Sequence, residues 1–271
     1  MYNIIFLALS VFLAIGTDTT NTRQTLQKNL IHLTTDNFVI IRGQIGGLTS
    51  AKVIHELSSK FGYDELYLYL VTPGGSVSHG MDIVQLVSAL VNNGVDVKCI
   101  ADTALSMGFV IFQYCPVRYV LENSILMQHQ MSLKVGGPIK NIDTYMSFVK
   151  SMGDDIDKHQ ADRIGKTYAE FSELVAHDWW IFGRNNVLNN TADELVNAMC
   201  NFRPSSTEDI VPTIFGDVYV TWSTCPLVPA PLRVGFGNAS ISKTDKDTVI
   251  NQLDIRKYVL ENPVHYLIFN I

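Results

Sequence analysis

Hydrophobic and polar positions divide the chain into stretches of different texture. The first is an almost unbroken apolar run from Ile4 to Ile15, followed by a polar, aperiodic stretch, TDTTNTRQTLQKN (17–29). As a helix the run would be about 18 Å long, short of the roughly 30 Å core of a bilayer. Ala14 and Gly16 supply the small residues of a signal-peptidase site, although no Lys or Arg precedes the run. Residues 1–20 are therefore expected to be a cleaved signal peptide, with an N-terminal membrane anchor or a buried N-terminal element as the alternatives. Ordered structure is expected from Asn37.

From there two periods alternate. NFVIIRG (37–43) is a short apolar run closed by glycine, as in a buried strand. Residues 48–62 place Val53, Ile54 and Leu57 at helical spacing ahead of Gly62, and ELYLYLV (65–71) is the next strand. Residues 77–94 align Met81, Val84, Val87 and Val91 on one helical face before the strand VDVKCIA (95–101). Strands alternating with helices through short links predict an α/β fold with right-handed crossovers and a parallel sheet. In such a sheet, catalytic groups gather at the loops leaving the carboxyl ends of the strands. Here those loops are TPGGS (72–76) and ADTALSMG (101–108), opening on the same side.

Farther on, RYVLENSILMQHQ (118–130) reads as two short strands. Residues 138–165 read as one long helix with Ile142, Tyr145, Val149 and Met152 along a stripe, and YAEFSELVAHDWWIF (168–182) as another helix or its C-terminal turn. From Arg203 the texture changes: five prolines fall between Pro204 and Pro231, around one expected strand, DVYVTW (217–222). Residues 203–271 are read as a C-terminal extension separate from residues 21–202.

Composition narrows the function. With 271 residues, 47% of them hydrophobic, the chain can bury a sizeable core. A net charge of −6 without a basic block gives no footprint for nucleic acid. Cys99, Cys115, Cys200 and Cys225 show no CxxC spacing, so no zinc site or redox motif is expected, and each reads as a small buried hydrophobe. No cofactor is implied. The sequons at Asn189 and Asn238 suit a secreted chain but arise readily by chance.

The chemistry centres on Ser106. A serine hydroxyl becomes a nucleophile when a histidine takes its proton and a carboxylate orients that histidine. A helix beginning just after the serine offers backbone N–H groups to an oxyanion. Each element has a plainer reading: Ser106 as a helix cap, Pro73-Gly74-Gly75 as a turn, His129 as a structural histidine, Asp178 as a cap or ion-pair partner. Their combination carries the argument.

Taken in order, TPGGSVSHGMDI, ALSMGFVIF, SILMQHQ and GKTYAEFSELVAHDWWI resemble the proteolytic subunit of the Clp protease over residues 37–200. The resemblance implies a ClpP/crotonase-like spiral of repeated β-β-α units with a mostly parallel sheet and a handle helix. It implies a serine endopeptidase acting on peptides or unfolded polypeptides, with Ser106 as nucleophile, His129 as general base and Asp178 as orienting carboxylate. The N–H groups of Gly75 and Met107 would form the oxyanion hole. Gly74, and Gly136 and Gly137 in the strand and handle segment MSLKVGGPIKN (131–141), would line the substrate groove. A homo-oligomeric ring is implied too, and an ATP-driven unfoldase as partner for a chain that stays inside a cell. A secreted or membrane-associated chain would work without that ATPase; otherwise the location would be cytoplasmic or organellar. Asn185 is a rival to Asp178. Asp102 and Thr103 replace a Gly-Gln pair, and Leu105 replaces an alanine, where it would crowd the first substrate pocket. Those departures, with the unmatched residues 203–271, favour an inactive ring scaffold as an alternative. A crotonase-type acyl-CoA enzyme is a third reading, on likeness of fold alone.

Overall fold

The computed structural model describes residues 29–261 except residues 61, 215, 238 and 239. The apolar leader and the Asn238 sequon lie outside the described residues. Among those residues no helix is long and apolar enough to cross a membrane.

The core follows the alternation of the sequence. Strand β2 (Phe38–Arg42) leads to helix α1 (Gly47–Ser59), strand β3 (Glu65–Thr72), helix α2 (Val77–Asn92) and strand β4 (Asp96–Leu105). Helix α3 (Met107–Tyr114) follows, then strand β5 (Val117–Gln128). The strands lie side by side in the order β2, β3, β4, β5, all parallel, and strand β6 (Trp179–Phe182) closes the row antiparallel to β5. One face of this sheet packs on α1, α2 and α3 through Val53, Leu57, Ile83, Val87 and Phe109. Helix α3 is buried on every side from Met107 to Gln113, which explains why its sequence is apolar without a stripe.

Pairing of β4 is irregular. Leu70 and Val71 of β3 face Ala101 and Thr103, leaving Asp102 as an extra residue, and β5 loops out between Val120 and Ile125 against the same point. Thus the two short strands expected over 118–130 are one, β5, which ends at Gln128 and whose ladder to β4 has two stretches. The extra residue shifts the phase of every side chain beyond it. Ala104 faces the helices, while Leu105 turns to the opposite face and packs among Tyr69, Ile100, Met127, Ile255 and Val259.

Several further elements escape the hydrophobic pattern. Strand β1 (Leu30–Leu33) precedes the expected start at Asn37 and pairs in parallel with strand β8 (Asn197–Cys200); four residues are too few to show a period. Helix α4 (Ile139–Ile164) is the expected long helix, and α5 (Tyr168–Leu174) starts on a capping box of Thr167 and Glu170. The helix expected over 168–182 ends early: residues 179–182 are β6, because the edge of β5 offers hydrogen bonds there. Residues 131–137, expected as a strand, contain no regular element and are exposed. A short helix α6 (Asn185–Leu188) and strand β7 (Glu194–Leu195) complete this part.

Beyond Arg203, strands β9 (Ser206–Thr213), β10 (Gly216–Ser223) and β11 (Arg233–Phe236) form an antiparallel sheet with β10 in the middle. Val218, Val220 and Trp222 alternate inward on β10 and meet Val249 of helix α7 (Lys243–Leu253). This extension is tied to the core at several points. The Arg42 guanidinium lies 4.7 Å from the centre of the Trp222 ring, Lys52 pairs with Asp209 at 3.0 Å, and helix α8 (Ile255–Glu261) inserts Ile255 and Val259 into the second core cluster.

The cysteines correct an expectation. They are two disulfides, Cys99 with Cys115 and Cys200 with Cys225. Spacing along the chain conceals this, since 16 and 25 residues separate partners whose Cα atoms stand 5.9 and 6.0 Å apart once β4 meets the end of α3 and β8 meets the end of β10.

Candidate active site

Ser106 occupies the single residue between the end of β4 and the start of α3. Its N–H donates to Met127 of β5 at 2.8 Å, and its carbonyl accepts from Val110 N–H at 3.1 Å, so one residue ends a strand ladder and opens a helix. That demands φ 52° and ψ −119°, a left-handed conformation uncommon for a residue with a Cβ. The plain reading as a helix cap does not hold, because the Ser106 side chain makes no capping bond. Its Oγ lies 2.9 Å from His129 Nε2.

His129 follows the last residue of β5, and the β5–β6 register pairs Gln128 with Trp179, so Asp178 stands beside it. Asp178 Oδ1 is 3.8 Å from His129 Nδ1, an ion-pair distance longer than a hydrogen bond. Such separations commonly tighten when substrate binds. Asn185 begins α6 beyond the far end of β6, about 13 Å along the strand direction by the rise per residue. Burial lowers the His129 pKa below the usual 6.5, and the Asp178 charge acts in the opposite direction. The imidazole is therefore mostly neutral at pH 7, able to accept a proton at Nε2.

The turn after β3 is packed against this elbow. A Cβ on Gly74, at φ 93°, would come within 2.7 Å of Ser106 Cβ and 2.9 Å of Met107 N. Gly75, at φ 145°, lies against the Ile45 backbone, whose carbonyl accepts from Ser76 N–H at 2.8 Å. Only glycine lets the two loops approach this closely. Gly74, Gly75, Ser106, Met107 and His129 border one cleft of about 450 Å³. As the first residue of α3, Met107 has no partner for its N–H within the helix. Gly136 and Gly137 do not border the cleft; both are exposed, and a Cβ at either would meet nothing within 4 Å. Leu105 is absent from the cleft as well, because the extra residue at Asp102 turns it to the other face.

Three features of the site escape a reading of the sequence. Gln128 Nε2 donates to Gln160 Oε1 at 2.6 Å, and Gln128 Oε1 accepts from the His129 N–H at 3.2 Å, so two buried amides brace the histidine. Asp157 of α4 also borders the cleft. Gln128 adjoins His129 in the sequence, but Gln160 and Asp157 carry no local signal, since they reach the site only through the packing of α4. Among the described residues, no three His, Cys, Asp or Glu side chains cluster in a way that could hold a metal ion.

Comparison with known proteins finds one family. The family model for Clp protease matches residues 21–197. The ATP-dependent Clp protease proteolytic subunit of Streptococcus suis is 27% identical over 170 residues, covering 60% of this chain and 85% of that protein. Proteolytic subunit 3 of Streptomyces coelicolor is 25% identical over 175 residues, covering 62% and 79%. Proteolytic subunit 2 of Tropheryma whipplei is 29% identical over 119 residues, covering 43% and 65%.

Proposed function

The chain belongs to the Clp protease family, and on that premise we propose that it is a serine endopeptidase whose nucleophile is Ser106. The observation that carries the proposal is the 2.9 Å approach of Ser106 Oγ to His129 Nε2 at a positive-φ elbow. In this reading Oγ attacks the scissile carbonyl carbon as its proton passes to Nε2. The carbonyl oxygen, now anionic, takes hydrogen bonds from the N–H groups of Gly75 and Met107. The intermediate collapses, the leaving amine takes the proton from Nε2, and the acyl group stays on Ser106. Water then attacks the ester, losing its proton to His129, and the acid product leaves with Oγ reprotonated. Asp178 holds Nδ1–H and favours the imidazolium formed in each half.

Support comes equally from where the departures from the family pattern lie. Asp102 and Leu105 face away from the cleft, so the two departures near the nucleophile no longer argue for an inactive scaffold. The exposed 131–137 segment has its backbone available for an added strand of substrate, which would give binding with limited sequence demand. The Streptococcus suis relative is named as a subunit of an ATP-dependent protease, and by analogy this chain would form a homo-oligomeric ring. Two disulfides, with the apolar leader of the sequence, favour an oxidising compartment. There the enzyme would act on peptides or loose polypeptides without an ATPase.

The test is labelling with a fluorophosphonate probe. The wild type should be labelled and the Ser106→Ala protein should not; equal labelling of both, or of neither, removes Ser106 as the nucleophile.

A further inference from the structure

The cleft beside Ser106 has aliphatic walls and one carboxylate. Val77 at the start of α2, Val110 of α3, Ile156 of α4 and Met131 supply the walls, and Asp157 is the one acidic residue among the described residues bordering it. Its position is built. Asp157 Oδ1 accepts from Gln160 Nε2 at 3.2 Å, Gln160 is fully buried, and its Oε1 accepts from Gln128, which in turn binds the His129 N–H. A continuous row of amides therefore fixes the carboxylate relative to the histidine that works on Ser106.

We propose that Asp157 makes this cleft select a lysine or arginine side chain at the substrate residue supplying the scissile carbonyl. The inference rests on the serine-peptidase reading and adds a substrate class to it. A basic side chain fits both halves of the site: its methylene stem lies along Val77, Val110 and Ile156, and its charged end meets Asp157. An aliphatic side chain of equal length would fill the same walls and leave a partly desolvated carboxylate without a cation, and that difference is what discriminates. Burial and, secondarily, Asp154 push the Asp157 pKa up to about 6, so at pH 8 the group is ionised while still poorly solvated.

The experiment compares fluorogenic peptides identical except for lysine, norleucine or, for the charge-reversed variant, glutamate before the scissile bond, since norleucine keeps the stem and removes the charge. At pH 8 the wild-type protein should favour lysine by about tenfold in kcat/KM, equivalent to about 1.4 kcal/mol. Asp157→Asn, which retains an oxygen for Gln160, should bring the ratio toward one, and Asp157→Lys should invert it in favour of a glutamate peptide. Equal or better cleavage of the norleucine peptide by the wild type, or an unchanged ratio in Asp157→Asn, overturns the proposal. Calorimetric binding of the lysine and norleucine peptides to Ser106→Ala separates the two readings. Preferential binding of the lysine peptide, with no hydrolysis by the wild type, upholds the role of Asp157 and defeats the peptidase assignment. Binding with no preference, or no binding of either peptide, defeats the role of Asp157.

Discussion

Ser106 is held in a conformation that costs of the order of 1–3 kcal/mol, and the surrounding hydrogen bonds show why the chain tolerates it. A strand bond to Met127 and a helix bond from Val110 both depend on that one residue, so relaxing it would break one of them. The same turn leaves Oγ with His129 as its partner instead of a backbone N–H. In the proposed mechanism His129 then sets the pH response. Its pKa lies below 6.5 because burial disfavours the imidazolium more than Asp178 restores it, and the base must be neutral to work. Activity should fall as pH drops through that value, so the acid limb of kcat/KM is expected to have its midpoint below pH 6.5. Asp178→Asn removes the one opposing charge. It should shift the limb lower still and reduce kcat by roughly 10³–10⁴-fold, as when a triad carboxylate is lost; steady-state rates across pH 5–9 check both.

Among the elements, β4 is the one on which sequence and structure diverge most usefully. The strands and helices around it are legible because buried runs and helical stripes repeat cleanly from Asn37 to Ala101. Ser106, His129 and Asp178 stand out in the sequence only through the resemblance that joins their motifs, and their juxtaposition in space follows from the β4–β5–β6 ladder. The extra residue at Asp102 is not legible. One inserted position reverses the facing of Leu105, and nothing in a list of side chains marks it. Its compensation also lies 154 positions away: Arg256 of α8 stands 3.5 Å from Asp102 and donates to the main-chain carbonyl of Asn123 where β5 loops out. Burial raises the Asp102 pKa and the Arg256 charge counteracts this. Arg256→Ala should therefore cost about 3–5 kcal/mol by stranding a buried carboxylate. Arg256→Met combined with Asp102→Asn should recover much of the loss, as read by urea denaturation.

On the scale of the whole molecule, residues 203–261 are held by Arg42 against Trp222, by the Lys52–Asp209 pair, by α8 on the second face of the sheet and by the Cys200–Cys225 disulfide to β8. Cross-linking a loop of this length stabilises by about 3 kcal/mol. Cys225→Ser, with Cys200→Ser to avoid a stray thiol, should lower stability by that amount and make the β9–β11 sheet the first region cut by an added protease. A further tie joins β5 to the segment before β7. Arg118, buried on β5, pairs with Asp193 at 2.6 Å, and this pair, with the hydrogen bonds to it, holds the Asp193 pKa below the usual 3.8 despite burial. The folded-state value is the lower one, so this stabilisation is complete above about pH 4 and fades as pH falls through the folded value. Asp193→Asn should flatten the acid side of a thermal-stability profile. The pairing of β1 with β8 has a consequence for the order in which the protein comes into being. Leu30–Leu33 leave the ribosome some 170 residues ahead of their partners in β8, and the cluster around Leu105 on the second face of the sheet is complete only when Ile255 and Val259 follow. Contacts so distant along the chain close slowly. The strand that leads into Ser106 is thus finished among the last parts of the fold, and a nascent chain carries Ser106 and His129 long before it has the scaffold to bring them together.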